Sequence, residues 1–312
     1  MNFIIITVLY LTLFIRPIIL ISSSNIVMIW LRLELRTFSF LPIIISSAQS
    51  SFSAAKYFFV QRIGSVIILI SLFSRSSFLV TLFFMLALII KIGIVPFHFW
   101  LPKLVSSLQS KEILLLLVWQ KIGPLYVFVF IPSIQIFEKI FIGVLRAGIG
   151  RILGLKQTQW QQIFTFSSIR HLGWLVIRRR VSFWLFFVYF FVYAISLVQV
   201  FIFIPSKILN SSIFSFSRIN LINLIIILSL AGLPPILGFL TKILVLFYLI
   251  TSPIMIGISL ILISFSIVRI FFYLKIFFSL TLSYTNFELT RRKTFILRNL
   301  ILFFAFPLIL NF

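Results

Sequence analysis

The sequence contains no cysteine and no aspartate, and it has only two histidines, His98 and His171. Without thiolates the chain cannot hold an iron–sulfur cluster or a cysteine-based zinc site. The shortage of histidine and the lack of aspartate exclude most other metal sites and a Ser-His-Asp triad. A glycine-rich phosphate-binding loop is also missing. If the chain takes part in an enzyme, the redox cofactors are therefore bound elsewhere.

Charge is scarce as well. Only 10% of the residues are charged, whereas a soluble domain has about a quarter. With 62% hydrophobic residues the chain lacks the polar surface to face water on all sides, so its solvent is lipid. The formal net charge of +23 does not indicate a nucleic-acid partner, because the basic residues are scattered through apolar sequence. The acids are Glu34, Glu112, Glu138 and Glu288.

Long apolar runs are what the sequence has instead. Backbone groups in lipid must be hydrogen-bonded internally, and these runs do not alternate with period two, so the sequence predicts helices rather than a barrel. Runs of about 20 residues give about eleven transmembrane helices. They are expected at residues 3–21, 25–45, 57–74, 77–97, 112–134, 139–155, 160–177, 181–205, 220–240, 243–278 and 295–312. No linker separates two domains, so we expect one all-α polytopic membrane domain over residues 1–312.

Two charged residues lie at membrane depth in the second and fourth expected spans, where charge marks a functional site by default. Glu34 lies near the middle of the second expected span. It either lines a polar cavity or is a structural partner of a polar group on another helix. Lys91 precedes Gly93 and Pro96. A lysine can extend to the membrane surface, but a proline that frees a backbone carbonyl beside it is typical of a broken helix along a polar pathway.

Two further lysines follow the same pattern. Lys121 is adjacent to Gln120 in an apolar run, which indicates a hydrated interior face. Lys242 follows a stretch with two prolines and two glycines at 232–238, which predicts a second interrupted helix. His98 and His171 lie among aromatic and polar neighbours; we interpret them as interfacial anchors, with a role in proton transfer as the alternative.

Six stretches resemble motifs of one family, and they occur in the family's order. They are Trp30–Glu34 with W-x-G-x-E, Lys91–Trp100 with K-x-G-x-x-P-F-H-F-W, Trp119–Lys121 with W-Q-K, Gly154–Thr158 with G-L-N-Q-T, Ser167–Trp174 with S-S-I-x-H-x-G-W, and Gly232–Lys242 with G-L-P-P-x-x-G-F-x-x-K. The chain thus resembles the subunit 2 family of mitochondrial NADH dehydrogenase, an antiporter-like family of respiratory complex I. The last 70 or so residues carry no sharp motif.

The resemblance implies an antiporter-like bundle with two interrupted helices, a core at about residues 22–250 and C-terminal helices at about 251–312. It places Glu34, Lys91, Lys121 and Lys242 on a proton path. It implies no cofactor on this chain, while the complex uses NADH and ubiquinone. The implied partners are other complex I membrane subunits, membrane lipids and protons, with no nucleic acid. The implied location is the mitochondrial inner membrane, and a composition rich in Phe and Ile, without an Arg/Ser-rich presequence, fits synthesis inside the organelle.

Proton transfer would depend on the distance between charges. Desolvation favours a neutral lysine and a nearby carboxylate favours a charged one, so movement of Glu34 would make Lys91 gain or lose a proton. Lys121 would relay the proton, and Lys242 would exchange it with one aqueous side. The alternatives are a stand-alone cation/proton antiporter, another antiporter-like subunit of the same complex, and a structural scaffold.

The arginines are the unexpected feature. Sixteen are present, and they are too many for four acids. Arg32, Arg36, Arg62, Arg146, Arg151 and Arg170 stand where the family usually has a small or uncharged residue. An arginine at the centre of a span costs about 2.5–3.5 kcal/mol or more. Many invertebrate mitochondria read AGA and AGG as serine and AUA as methionine, and the chain has only four methionines. We therefore expect many of these positions to be serine in the native protein.

Overall fold

The computed structural model describes residues 3–22, 25–47, 51–130, 148, 150, 153–154, 157, 159–176, 183–203, 230, 232, 237–249, 256–257, 259–267 and 273. The helices are α1 (Phe3–Ile21), α2 (Ile26–Ser47), α3 (Ser51–Phe73), α4 (Ser77–Ile92), α5 (Trp100–Val105), α6 (Ser110–Leu114), α7 (Gln120–Phe130), α8 (Trp160–Val176), α9 (Phe183–Phe203) and α10 (Leu237–Leu249). The chain forms two compact units: Met1–Gln157 with Gln161–Phe186, and Thr158–Trp160 with Phe187–Phe312.

The first unit is built on α1 to α4, in which each helix packs against the next one along the chain. The predicted all-helical membrane fold is confirmed for this part of the chain. Within the described residues, three helical stretches are long and apolar enough to cross a membrane: Phe52–Phe73, Ser110–Val129 and Trp184–Ile202. Helix α2 has 22 residues and includes Arg32, Glu34 and Arg36.

Helix α3 is polar inside and apolar outside. Its buried face carries Tyr57, Gln61, Gly64 and Ser65, whereas its exposed face carries large apolar side chains such as Phe73, which is 85% exposed. Exposed apolar surface of this extent marks contact with lipid or with another protein. The arrangement is the reverse of a water-soluble helix, and it turns the polar side chains of α3 toward α2 and α4.

Seven residues, 93–99, separate the end of helix α4 from the start of the next helix. Ser76 caps its first turn by accepting a hydrogen bond from the backbone N–H of Leu79. At the other end Gly93 has φ +74°, a left-handed conformation that only glycine adopts readily. The span expected at 77–97 is therefore a helix as far as Ile92, followed by an irregular segment and then α5. Val95 of that segment packs against α8 at Phe166 and Ile169.

Helices α6 and α7 are joined by a single π-helical turn, Leu115–Trp119. The N–H of Gln120 donates to the carbonyl of Leu115, five residues earlier, which defines the wider turn. Helix α7 packs against both α1 and α4. The Nε1–H of Trp119 donates to the carbonyl of Leu13, at 2.8 Å, and ties this turn to α1.

The second unit contains most of α9 and all of α10. Helix α10 is continuous over residues that hydropathy divides between the expected spans 220–240 and 243–278. The residue before the break, Leu230, is helical, and Gly232 is in a turn with φ +70°. Most of the expected spans 139–155 and 220–240 lies outside the described residues. The expected span 295–312 lies entirely outside them.

Candidate functional site

An ion pair between α2 and α4 lies at the end of the broken helix. Lys91 Nζ is 3.5 Å from Glu34 Oε1. Lys91 is 3% exposed and Glu34 is 5% exposed. Arg62 approaches the second carboxylate oxygen of Glu34, with Nη1 3.2 Å from Oε2. Removing one partner of a buried pair leaves an uncompensated charge, so the states of these groups are linked.

Helix α3 holds Lys91 in place from the opposite side. The helical partner of the Lys91 carbonyl would be the N–H of Val95, but the helix ends before that residue. The side chain of Gln61 donates to this carbonyl instead, with Nε2 3.1 Å from the oxygen. One turn along α3, a Cβ added to Gly64 would lie 2.7 Å from Lys91 Cγ, so the lysine stem needs glycine there.

Lys121 is hydrogen-bonded to α8. Its Nζ donates to Ser168 Oγ at 2.7 Å, and Ser168 in turn donates to the carbonyl of Thr165 at 2.8 Å. Lys121, Thr165 and Ser168 are all buried. An ammonium has three donors and no acceptor, so one of its three protons is held by the serine hydroxyl.

A small cavity, with room for about one water molecule, is lined by both Lys91 and Lys121. Its other lining residues are Arg36, Tyr57, Gln61, Ile92, Trp100, Leu101, Leu116 and Gln120. Several of their buried polar atoms have no hydrogen-bond partner among the described residues: Tyr57 OH, Gln61 Oε1, Trp100 Nε1 and both polar atoms of the Gln120 side chain. Buried polar groups of this kind are usually hydrogen-bonded, often to water.

Lys242 lies in the second unit, on α10. It is 4% exposed. A Cβ added to Gly232 would lie 1.8 Å from Lys242 Nζ, so the ammonium packs directly on the glycine backbone. Gly232 also has a φ of +70°, a left-handed backbone conformation that favours glycine.

Both histidines are buried against protein rather than exposed at the surface of the described chain. His98 Nδ1 is 3.2 Å from the carbonyl oxygen of Pro96, and its ring centroid is 4.2 Å from that of Phe99 and 6.2 Å from that of Phe166. His171 lies on α8. These contacts of the His98 ring do not include Lys91 or Lys121, and a role in proton transfer stays a prediction for both histidines.

Sequence reasoning missed the contribution of α3 to this site. Tyr57, Gln61 and Gly64 are spaced four and three residues apart, which places them on one face of the helix. Polar and small residues at this spacing in an otherwise apolar span were the available signal. Ser168 was noted only as part of a motif, because the contact with Lys121 joins residues 47 positions apart.

The comparisons with known proteins concern the family and the fold of the chain. Residues 73–268 match the family model described as NADH:quinone oxidoreductase/Mrp antiporter, TM. NADH-ubiquinone oxidoreductase chain 2 of Lumbricus terrestris is 34% identical over 287 residues, covering 86% of this chain and 84% of the relative. The chain belongs to the NADH-ubiquinone oxidoreductase chain 2 family. Chain 2 of Mus musculus is 30% identical and covers 91% of this chain and 88% of its own length.

Solved structures share the fold of this chain 2 protein. One is respiratory complex I from Thermus thermophilus with bound Aureothin, where the TM-score is 0.69 at 17% identity, over 88% of this chain and 70% of that one. Another is the Mrp complex from Dietzia sp., with a TM-score of 0.69 at 16% identity, over 79% of this chain and 55% of that one. The resemblance drawn from the motifs is confirmed.

The arginines place additional positive charge around the site. Arg36 is fully buried, donates to the carbonyl of Gln120, and lines the cavity together with Lys91 and Lys121. Among the described residues the only acids are Glu34 and Glu112. Burying one guanidinium and two ammonium groups around one cavity is costly. Serine in place of arginine at positions 36 and 62 would lower the positive charge of the site and leave Lys91 as the ion-pair partner of Glu34.

We therefore expect serine at positions 32, 36, 62 and 170 of the native protein, because small hydroxyl residues suit close helix packing in lipid. Peptide mass spectrometry of the protein isolated from its own mitochondria measures this directly. The lysines, for example Lys91, should retain their expected masses and act as internal controls. Peptides carrying the mass of arginine at Arg32, Arg36 and Arg170 would contradict the prediction.

Proposed function

We propose that the buried charged residues of this chain carry protons across the mitochondrial inner membrane. The chain is a multi-pass membrane subunit of mitochondrial complex I, and it contributes to the proton translocation of that complex. Its partners are the other subunits of the complex. The observation that carries the proposal is the buried pair of Glu34 and Lys91, which lies at a helix break beside a polar cavity that is also lined by Lys121.

The proposed path begins at Glu34. While its carboxylate lies beside Lys91, it favours the charged lysine, and when it moves away the lysine loses its proton. That proton passes toward Lys121, and Lys242 exchanges with one aqueous side. In this proposal NADH and ubiquinone are used by other subunits, and lipids surround the exposed apolar faces such as that of α3.

The names of the relatives decide between the alternatives. The curated relatives are complex I subunits called chain 2 rather than stand-alone antiporters or other antiporter-like subunits. The likeness to the Mrp complex concerns the fold alone. A purely structural scaffold is disfavoured because Glu34, Lys91 and Lys121 are buried charged residues, and buried charge in a membrane protein marks a functional site by default.

A double-mutant cycle tests the pairing. Glu34→Gln should lower proton-coupled NADH:ubiquinone turnover of the assembled complex by about tenfold, because the charge is lost while the shape is retained. The double variant Glu34→Gln, Lys91→Met should be little worse than the worse single variant, since coupled residues are non-additive. Turnover and proton uptake are measured together in membrane vesicles.

Glu112→Gln is the matched control for this cycle. Glu112 is also a buried carboxylate, but it makes no ion pair among the described residues. Its neutralisation should leave the coupling of proton transfer to turnover unchanged. Losses for Glu34 and Lys91 that add fully as free energies would show that the two residues act independently.

A further inference from the structure

Gln61 has two polar ends with different surroundings. Its Nε2 donates to the carbonyl of Lys91 at 3.1 Å, and this bond fixes which way the amide points. The Oε1 atom is then directed away from that carbonyl. It is buried, has no hydrogen-bond partner within the described ranges, and belongs to a residue that lines the same cavity as Lys91 and Lys121.

Tyr57 lies one turn before Gln61 on the same face of α3. Its ring is held by Phe40 at 5.4 Å and by Trp100 at 6.2 Å between centroids, so the ring has little freedom. Its hydroxyl is nevertheless buried without a hydrogen-bond partner in the described part of the chain, and the residue lines the same cavity. The side-chain amide of Gln120, the residue before Lys121, is also buried and has no hydrogen-bond partner among the described residues.

Unsatisfied polar atoms on four residues around one cavity, with Trp100 as the fourth, have a common physical explanation. Leaving such groups without hydrogen bonds costs about 1–3 kcal/mol each. Water needs a polar site with two to four partners, and the amide oxygen of Gln61, the Tyr57 hydroxyl and the Gln120 amide supply them. Lys91 and Lys121 stand on the border of the same space.

We propose that Gln61 is a positioning residue that, together with the Tyr57 hydroxyl, binds the water linking Lys91 to Lys121. The water accepts a proton from the Lys91 ammonium and passes one of its own protons to the neutral amine of Lys121. Lys91 ends neutral, Lys121 ends charged, and the water is regenerated. Because Nε2 of Gln61 is bonded to the backbone of Lys91, the acceptor oxygen stays aligned with the helix break. This inference rests on the proposed proton path.

The experiment compares Gln61→Met and Tyr57→Phe in the assembled complex in membrane vesicles. Both should lower proton-coupled NADH:ubiquinone turnover about fivefold. Both should also raise the solvent deuterium isotope effect on turnover, because proton transfer becomes the slow step. Oxidation of NADH by a soluble artificial acceptor should be unchanged. Tyr57→Phe removes only a hydroxyl without a protein partner, so it tests the water site even if Gln61→Met does not assemble.

Gln161→Met is the control. Gln161 is equally buried, and its Nε2 also donates to a backbone carbonyl, that of Leu108 at 3.4 Å, but it does not line the cavity. The Gln161→Met variant should show the same solvent deuterium isotope effect on turnover as the wild type. If Tyr57→Phe and assembled Gln61→Met behave as wild type while Lys91→Met is impaired, the water site is wrong and the proton path stands. If Lys91→Met is also wild type, the proton path itself is wrong.

Discussion

Complexes carrying Lys91→Met should assemble normally, and their proton-coupled NADH:ubiquinone turnover should be about a hundredfold lower than that of the wild type. Methionine retains roughly the volume of the lysine stem, so it can fill the space beside Gly64, but it cannot hold a proton. It also leaves Glu34 with one cationic neighbour fewer. Turnover and proton uptake are measured in membrane vesicles, after native gels establish that the complex is complete.

Lys103→Met is the matched control for this variant. Lys103 lies on α5, close to Lys91 in sequence, but it is exposed. The same substitution there should leave turnover and proton uptake unchanged. Wild-type coupled turnover in fully assembled Lys91→Met complexes would remove Lys91 from the path.

Lys242→Ala should lower proton-coupled turnover by a similar factor, about a hundredfold, and Lys242→Arg should restore little of it. Alanine removes the protonatable group, whereas arginine remains protonated in proteins and cannot release a proton. The position is tightly defined, because the ammonium packs on the backbone of Gly232. The measurement is again proton uptake and turnover in vesicles, for both variants side by side.

The pair Lys111→Ala and Lys111→Arg serves as the comparison, since Lys111 is exposed on α6. Both substitutions at position 111 should leave turnover and proton uptake unchanged. Full pumping in Lys242→Arg would mean that position 242 needs a fixed positive charge and does not exchange protons.

The sequence was sufficient to predict the ends of the first two helices to within two residues, whereas the third begins at Ser51 rather than at the expected residue 57. The expected spans 3–21 and 25–45 are observed as Phe3–Ile21 and Ile26–Ser47. Polar joints interrupt long apolar runs at these places, so hydropathy alone locates them. Where apolar sequence continues through a break, hydropathy fails: the run 77–97 is a helix only to Ile92, because the conformation of Gly93 ends it.

The site was predictable in its charged residues and not in its neutral ones. Charge in an apolar span is conspicuous, so Glu34, Lys91 and Lys121 could be selected, and the pairing of Glu34 with Lys91 was expected from their opposite signs. Gln61 and Tyr57 are ordinary residues in a sequence of this composition. Their importance comes from which way α3 faces, and that depends on packing between helices rather than on local pattern.

The π-helical turn before Lys121 has a consequence for insertions and deletions. A π-helical turn holds one residue more than an α-helical turn, so it stores an extra residue without rotating the flanking helix. Deleting one residue within Leu115–Trp119 would convert the turn to regular helix and leave Lys121 facing Ser168. The same deletion in a regular turn of the helix would rotate Lys121 by about 100° relative to one flank. Natural length variation in this family should therefore collect at this turn.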